Sequence, residues 1–412
     1  MKKTMILLAA LLLVQLGRAA NDDVVLTIDG SGATPLEQQL QGNWQQVDSL
    51  VLTGGPYNEK MMEVISRFMD AKSVRGVNAS NARFKDDELP YRAFYFVGYH
   101  ALHYIMLPST LKRLGEESLY LTPITELVVP EGVNELGFNC LSECRDLQRL
   151  QLPSTLTTLD PYALFRLTSL QELQLPASLK RIGVNALAYL GDDVTSVVVP
   201  NSVEVIGNGA FYHCMGLQQV VLPQVLDSIE QNTFWACNNL GQVTWPVHLQ
   251  SIGLNAFCLC NLSEALLPDG VERIGSYAFS ANYNLSVVVL PPSLKEMCAS
   301  TFAWDDAIKS LTCLATTPPT VIDDAQDRYS TPPANATLYV PEASIDAYRQ
   351  AFYWGQFREI VGINVSGVQS AATGKPAVIT YYNINGLRQS QPRQGLNIVL
   401  HADGSTKKMI RK

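Results

Sequence analysis

One feature constrains the fold more than any other: proline recurs every 22 or 23 residues through the middle of the chain, and once after 24. Short apolar runs such as ELVVP, SVVVP and VVVLP end at these prolines, which are Pro108, Pro130, Pro153, Pro176, Pro200, Pro223, Pro246, Pro268 and Pro291. A single turn of this length cannot bury its own apolar side, whereas stacked turns bury each other's. The period therefore predicts a solenoid.

Other positions keep step with the prolines. Aliphatic residues follow three and six positions later, as Val203 and Ile206 do after Pro200, and a small residue precedes a large one at Ala210-Phe211. The run before each proline is predicted to be a short strand. Equivalent strands of successive turns would pair in parallel, about 4.8 Å apart.

The stretch around His213 and Cys214 raises the question of a nucleophile with its base, or of half a metal site. Cys214 stands fourteen residues after its proline, as do Cys144, Cys237 and Cys260. A column of cysteines at one repeat position indicates small core residues. Stacked side chains would keep their Cβ atoms farther apart than a disulfide prefers, so mostly free, buried thiols are expected.

The segments SLKRIGVNAL, SVEVIGNGAFYHC, HLQSIGLNAFCLC and GVERIGSYAF resemble the BspA-like class of leucine-rich repeats, found in exported and surface proteins of bacteria and some protozoa. The resemblance covers roughly residues 90–320. It implies a leucine-rich-repeat solenoid whose short strands form a parallel β-sheet. It also implies protein–protein binding, including adhesion to host or matrix proteins, with no catalysis. Asp160 and Glu230 depart from the pattern, because they replace the turn glycine.

The first 20 residues have the pattern of a secretory signal peptide: Lys2 and Lys3, an apolar run, then small residues. A signal anchor is the alternative. Removal of this segment would leave 27 basic and 38 acidic residues, a net charge of −11. So acidic a chain is a poor candidate for nucleic-acid binding. The expected location is secreted or at the surface of a bacterium.

The repeats are predicted to be closed at both ends. Residues 21–100 would form an N-terminal cap with a strand at VDSLVLTG, a helix at NEKMMEVISRFMDA, and a degenerate repeat around Ala93-Phe94. Residues 101–320 would be the array. Residues 321–365 would form the C-terminal cap, which resembles the segment closing many such arrays, with Tyr348, Phe352 and Phe357 packed over the last turn.

Residues 366–412 read as a linker and a small β tail. Two or three strand-like runs end in a basic cluster of Lys407, Lys408, Arg411 and Lys412. The tail weakly resembles a C-terminal sorting signal of the type IX secretion route. The alternative is a small β addition that packs on the cap or hangs free.

Enzyme chemistry has weak support. His100 and His103 form a lone His-x-x-His pair without a matching third ligand, so no metal or cofactor is expected. The pair Asp305-Asp306 is interpreted as part of a solvated loop. A hydrolase site in the N-terminal cap remains as a hypothesis, requiring His100, His103 and Asp86 or Asp87 to cluster.

The residues two and four positions before each proline are predicted to face outward from the sheet, forming a recognition face. The alternative is that β-branched residues merely suit strands. The proposed binding positions are Met106, Val128, Gln151, Gln174, Val198, Val221, Thr244, Leu266 and Val289, together with Arg149, Glu172, Gln219 and Gln242. A surface protein that captures a glycan or peptide is the second hypothesis, requiring exposed aromatic residues such as Tyr104, Tyr212 and Trp235.

Overall fold

The computed structural model describes residues 24–42, 46–95, 102–323 and 331–363 with their side chains, and the backbone of four strands between 378 and 411. The predicted signal peptide and His100 lie outside the described residues. The chain divides into two compact units, residues 1–153 and 154–412.

The described residues of the first unit form nine strands, two helices and one 3-10 turn. The strands are β1 Val25–Asp29, β2 Ser49–Tyr57, β3 Gly76–Phe84, β4 Glu88–Leu89, β5 Tyr104–Met106, β6 Arg113–Leu114, β7 Glu126–Val128, β8 Glu135–Leu136 and β9 Arg149–Gln151. The helices are α1 Leu36–Leu40 and α2 Glu59–Lys72, and the 3-10 turn is Lys85–Asp87.

In the second unit, the described residues between 154 and 363 alternate short strands with turns, and an α-helix lies between the last two strands. The strands are β10 Thr158–Leu159, β11 Arg181–Ile182, β12 Ser196–Val198, β13 Val205–Ile206, β14 Gln219–Val221, β15 Ser228–Ile229, β16 Gln242–Thr244, β17 Ser251–Ile252, β18 Glu264–Leu266, β19 Arg273–Ile274, β20 Val287–Leu290, β21 Glu296–Cys298, β22 Ser310–Cys313, β23 Thr320–Ile322, β24 Thr337–Pro341 and β25 Glu359–Ile363. The helix is α3 Ile345–Gln350, and 3-10 turns span Ala299–Phe302, Glu342–Ser344 and Trp354–Gln356.

Equivalent strands of successive repeats pair in parallel sheets, which confirms the predicted solenoid. In the second unit Ser196 pairs with Gln219 and Gln219 pairs with Gln242, so equivalent residues stand in line. Each repeat also supplies a second strand after the proline, of two residues except for the three of β21, and the sequence pattern did not predict it. Those strands pair in register as well, for example Ile229 with Ile252.

One predicted strand is not formed. Residues 172–175 contain no strand, although Leu173 is still buried. The following proline spacing is 24 residues instead of 23, so this turn carries one extra residue. A single additional residue disturbs a strand ladder locally, because side chains alternate with a period of two.

Aromatic rings fill the interior of the second unit. Phe211, Phe234, Phe257, Phe279 and Phe302 form a column of stacked, buried rings with centroids 5.2 to 5.7 Å apart. The small residue before each ring, such as Ala210 or Ala256, is fully buried and leaves room for it. Such dense packing of large side chains is the main stabilising contribution of the interior.

The turns between the strands use left-handed backbone at non-glycine residues. Tyr189 and His213 have φ values of 58° and 59°. Their N–H groups donate to the next repeat, Tyr189 to the Tyr212 carbonyl at 2.9 Å and His213 to the Trp235 carbonyl at 2.8 Å. Each such residue costs conformational energy that the hydrogen bond to the neighbouring turn offsets.

The predicted strand and helix near the N-terminus are confirmed as β2 and α2. Asn58 caps α2 by accepting a hydrogen bond from the Met61 N–H at 3.1 Å. Met62, Ile65 and Met69 on one side of the helix are fully buried. At the edge of this sheet, the Gln39 amide bonds both backbone groups of Asp29, which blocks one end of the exposed strand.

Two of the three aromatic residues expected to pack in the closing segment of the second unit are buried. Strand β24 and helix α3 form, and Tyr348 and Phe357 are buried as expected. Phe352 is instead 65% exposed, so its predicted packing is wrong. Tyr353 and Trp354 occupy the interior, because the helix ends at Gln350 and the chain then turns through a 3-10 segment.

The tail forms an antiparallel sheet in the order β27-β26-β28-β29. Its strands are β26 Val378–Asn383, β27 Arg388–Gln389, β28 Gly395–His401 and β29 Thr406–Arg411. The predicted strand-like runs are therefore present. The linker and Lys412 lie outside the described residues.

Candidate binding surfaces

The outer face of β12, β14 and β16 is free of charged side chains. Strand pairing puts two rows of outward residues in line: Ser196, Gln219 and Gln242 in one row, and Val198, Val221 and Thr244 in the other. Val198 is 59% exposed, and only Val221 of the six is half-buried. The residue between them points to the core and is buried in β12 and β14, as Val197 and Val220, whereas Val243 of β16 is half-buried. Amides and aliphatic groups thus stand side by side.

The equivalent face of β5, β7 and β9 in the first unit differs. Arg149 of β9 forms an ion pair with Glu126 of β7, and the two residues are partners in the ladder. Met106, Val128 and Gln151 in the neighbouring row are half-buried. The charged side chains of this face therefore pair with each other.

The remaining predicted positions do not extend the charge-free face uniformly. Gln174 and Glu172 are exposed but lie outside any strand. Leu266 is half-buried, and Val289 is 3% exposed, so the expectation that Val289 is open to solvent is wrong. Val289 forms an apolar cluster with Val287 and Leu314, against which Leu266 and Ile363 pack.

The histidine–cysteine pair has a structural explanation. The Cys214 thiol is buried and donates to the Leu187 carbonyl at 3.1 Å. Cys237 and Cys260 make the same bond to carbonyls 26 residues earlier, Phe211 and Phe234. All are free thiols, as predicted, and burial raises the pKa of Cys237 well above its ordinary value. An inert thiol column stabilises the turns and does not supply a nucleophile.

His213 lies instead in an aromatic cluster. Its ring stacks on Tyr189 at 4.6 Å, and Tyr212 stacks on Trp235 at 4.7 Å. The guanidinium of Arg166 lies over Tyr189 on the same surface at 4.9 Å. Because these half-buried rings cover each other, they offer few free faces to a sugar.

Asp305 occupies the repeat position of the cysteine column, and its interpretation as a solvated residue is wrong. It is 2% exposed, and its Oδ1 accepts a hydrogen bond from the Asn282 N–H at 2.6 Å. Its other oxygen is buried without a partner. Burial raises the pKa of this carboxyl to about 9, so it is protonated at neutral pH.

The first unit contains a groove of about 400 Å³ that the sequence analysis missed. Five of its lining residues come from α2 and three from the turn after β4: Glu59, Glu63, Ser66, Arg67, Asp70, Tyr91, Arg92 and Tyr95. The available signal was the spacing of Glu59, Glu63, Ser66 and Asp70, which places them on one side of a helix. Ser66 on that side is buried, as are Met62, Ile65 and Met69 on the neighbouring side of the helix.

The residues of the hydrolase hypothesis do not line this groove. His103, Asp86 and Asp87 are exposed, and His100 is outside the described residues. Within the described ranges, histidine, cysteine and acidic side chains form no group of three that could hold a metal ion. None of the helices in the described part of the chain combines the length and apolarity that a bilayer crossing requires.

This architecture agrees with the family comparison. The model of the BspA type leucine-rich repeat region matches residues 88–218 and 204–318, in six copies, which is more than half of the chain. The protein belongs to this family. A search of curated proteins returned no match.

Solved structures resemble the chain as follows. A leucine-rich repeat protein from Bacteroides ovatus is 22% identical, with 78% of this chain and 93% of that one covered and a TM-score of 0.43. The pneumococcal vaccine antigen PcpA is 14% identical, with coverage of 84% and 91% and a TM-score of 0.44. A leucine rich cell surface protein from Faecalibacterium prausnitzii is 19% identical, with coverage of 74% and 84% and a TM-score of 0.40.

Proposed function

We propose that this protein acts by binding another protein through the outer face of β12, β14 and β16, without catalysis. The observation that carries the proposal is the absence of charge on that face in a chain with 68 charged residues. A parallel sheet usually has both faces covered, so the exposed Val198 and the half-buried Val221 on this outer face favour a partner. Extended outer faces of this kind are where solenoid proteins bind.

The partner surface is expected to be largely uncharged. Gln219 and Gln242 each carry two amide donors and one carbonyl acceptor, which suits a partner offering backbone or amide groups. Val198 and Val221 add apolar area beside them. Removing water from a face without charges costs less free energy than removing it from a charged face. More of the free energy gained by burying its apolar area therefore appears as affinity.

The setting we propose is the outside of a bacterium, with adhesion to host or matrix proteins as the role. Residues 1–20 would direct export, and the segment 366–412 would hold a linker and a sorting signal. Residues 21–100 and 321–365 would cap the array of 101–320. Belonging to the BspA type family supports this assignment.

The experiment measures binding of the full chain to a panel of extracellular matrix proteins by surface plasmon resonance. Val198→Lys and Val221→Lys place a charge on the proposed face, and Gln151→Lys is the matched control at the same repeat position in the first unit. We expect the two valine variants to lose at least about tenfold in affinity and the control to keep it. Circular dichroism checks that all variants fold. Binding that survives both valine variants would contradict the proposed face.

A further inference from the structure

Arg92 gives the groove of the first unit a fixed donor group. Its Nε donates to Glu117 Oε2 at 2.6 Å, and this hydrogen bond raises the pKa of Arg92. Its guanidinium lies over the rings of Tyr91 and Tyr95, 4.9 and 4.5 Å from their centroids. Tyr95 is itself stacked on Tyr120 at 5.6 Å. The guanidinium is therefore held in place before any ligand arrives, which lowers the entropy cost of binding.

The opposite wall has acceptors and donors in alternation. On α2, Glu63 pairs with Arg67 at 2.5 Å, and Ser66 is committed to the Ala93 carbonyl at 2.6 Å. Glu59 and Asp70 lie at the two ends of this wall. The helix rise of 1.5 Å per residue puts them roughly 16 Å apart along the groove. The lining therefore includes carboxylate acceptors at both ends and guanidinium donors in its middle.

The positive and negative side chains that line the groove together indicate the class of ligand. An anion would meet three carboxylates, and a cation would meet two guanidinium groups. A neutral ligand rich in hydroxyl groups satisfies both, because each hydroxyl can donate to a carboxylate and accept from an arginine. The ring of Tyr91, which is 37% exposed, adds a flat apolar surface for the C–H side of a sugar.

We infer that this groove binds a short neutral oligosaccharide, with Asp70, Glu59 and Arg92 bonding its hydroxyls and Tyr91 packing on a ring. The groove volume of about 400 Å³ lies within the range of roughly 300–1,000 Å³ of small-ligand sites. The inference is independent of the protein-binding face, since none of these residues lies on β12, β14 or β16.

The test is titration calorimetry of the full chain with mannotriose, maltotriose, cellotriose and xylotriose, with sialyllactose and trilysine as acidic and basic probes. At least one neutral trisaccharide is expected to bind. Tyr91→Ala and Asp70→Ala are expected to weaken it at least about tenfold, while Tyr91→Phe retains the ring and most of the affinity. Lys60→Ala, on the same helix but outside the groove lining, is the control.

Three results would overturn the inference. The first is that no neutral trisaccharide binds at about 10 mM. The second is that binding is unchanged in Tyr91→Ala and Asp70→Ala, with both variants shown to fold by thermal melting. The third is that only sialyllactose or only trilysine binds. If the groove binds sugar while Val198→Lys still binds protein, this inference holds and the proposed function fails. If no sugar binds while Val198→Lys loses protein binding, the proposed function holds and this inference fails.

Discussion

The outer faces of β5–β7–β9 and β12–β14–β16 are built from the same repeat positions and yet differ in chemistry. On the first, Arg149 and Glu126 neutralise each other across the ladder. On the second, the same row is Ser196, Gln219 and Gln242, and the next row exposes Val198. The repeat fixes which residues face outward. What those residues bind is set by substitutions at positions that the core does not constrain.

The largest expected effect tests whether stability lies in the interior and not on either face. Phe234→Ala removes one ring from the buried column between Phe211 and Phe257. We expect it to lower the free energy of unfolding by about 3–5 kcal/mol, from lost burial and the cavity left behind. Urea denaturation measures it, with Val198→Lys as the surface comparison. Equal destabilisation by the two changes would contradict this division of roles.

The second effect compares one interior position in the two units. Fourteen residues after the proline, Thr122 of the first unit donates to the Leu119 carbonyl, whereas the second unit places Asp305 there. The folded carboxyl stays protonated up to about pH 9, whereas the unfolded one ionises near pH 4. The free energy of unfolding should therefore fall as pH rises between these values, by at most about 1.4 kcal/mol per pH unit.

Asp305→Asn removes this titration, and Asn282 shows that the neighbouring repeat accommodates an amide at the same position. We expect the variant to gain stability relative to the parent as pH rises from 5 to 8. Thermal melts across that range provide the measurement. The other ionisable groups near the carboxyl are Asp306 and Cys258. A difference between variant and parent that is constant with pH would show that Asp305 is ionised in the folded protein.

The smallest expected effect concerns the ion pair on the first face. Arg149→Ala breaks the contact with Glu126, and because the arginine side chain is 41% exposed the loss should stay below about 1 kcal/mol. The midpoint of unfolding should also depend less on salt than in the parent. A loss of several kcal/mol would mean that the pair holds the sheet together and is not simply a neutralised surface.

Periodicity was enough to predict most of the architecture. The prolines located the strands, and the small–large pairs located the phenylalanine column, because stacking makes every repeat bury the same positions. The second strand of each repeat was missed, since a two-residue strand leaves no alternation to detect. The absence of a strand at 172–175 depends on one extra residue in the repeat. The exposure of Phe352 depends on where α3 ends.

The candidate sites were less predictable than the fold. The outward rows followed from alternation, but the burial of Val289 depends on Leu314, which directly follows β22. The pair Asp305-Asp306 is typical of a loop, but Asp305 stands fourteen residues after Pro291, as Cys260 does after Pro246, and this position is buried. The groove is lined by α2 and by the turn at Tyr91 and Arg92, which lies about 20 residues further along the chain. No local sequence pattern links this turn to the helix.

The most direct test of the account is the paired measurement of Val198→Lys and Gln151→Lys in one binding assay against the same matrix protein. Both changes add a lysine at the position two residues before a repeat proline, one on each face. The account predicts a loss of at least about tenfold for Val198→Lys and a dissociation constant within about twofold of the parent for Gln151→Lys. Equal losses, or a larger loss for Gln151→Lys, would contradict it.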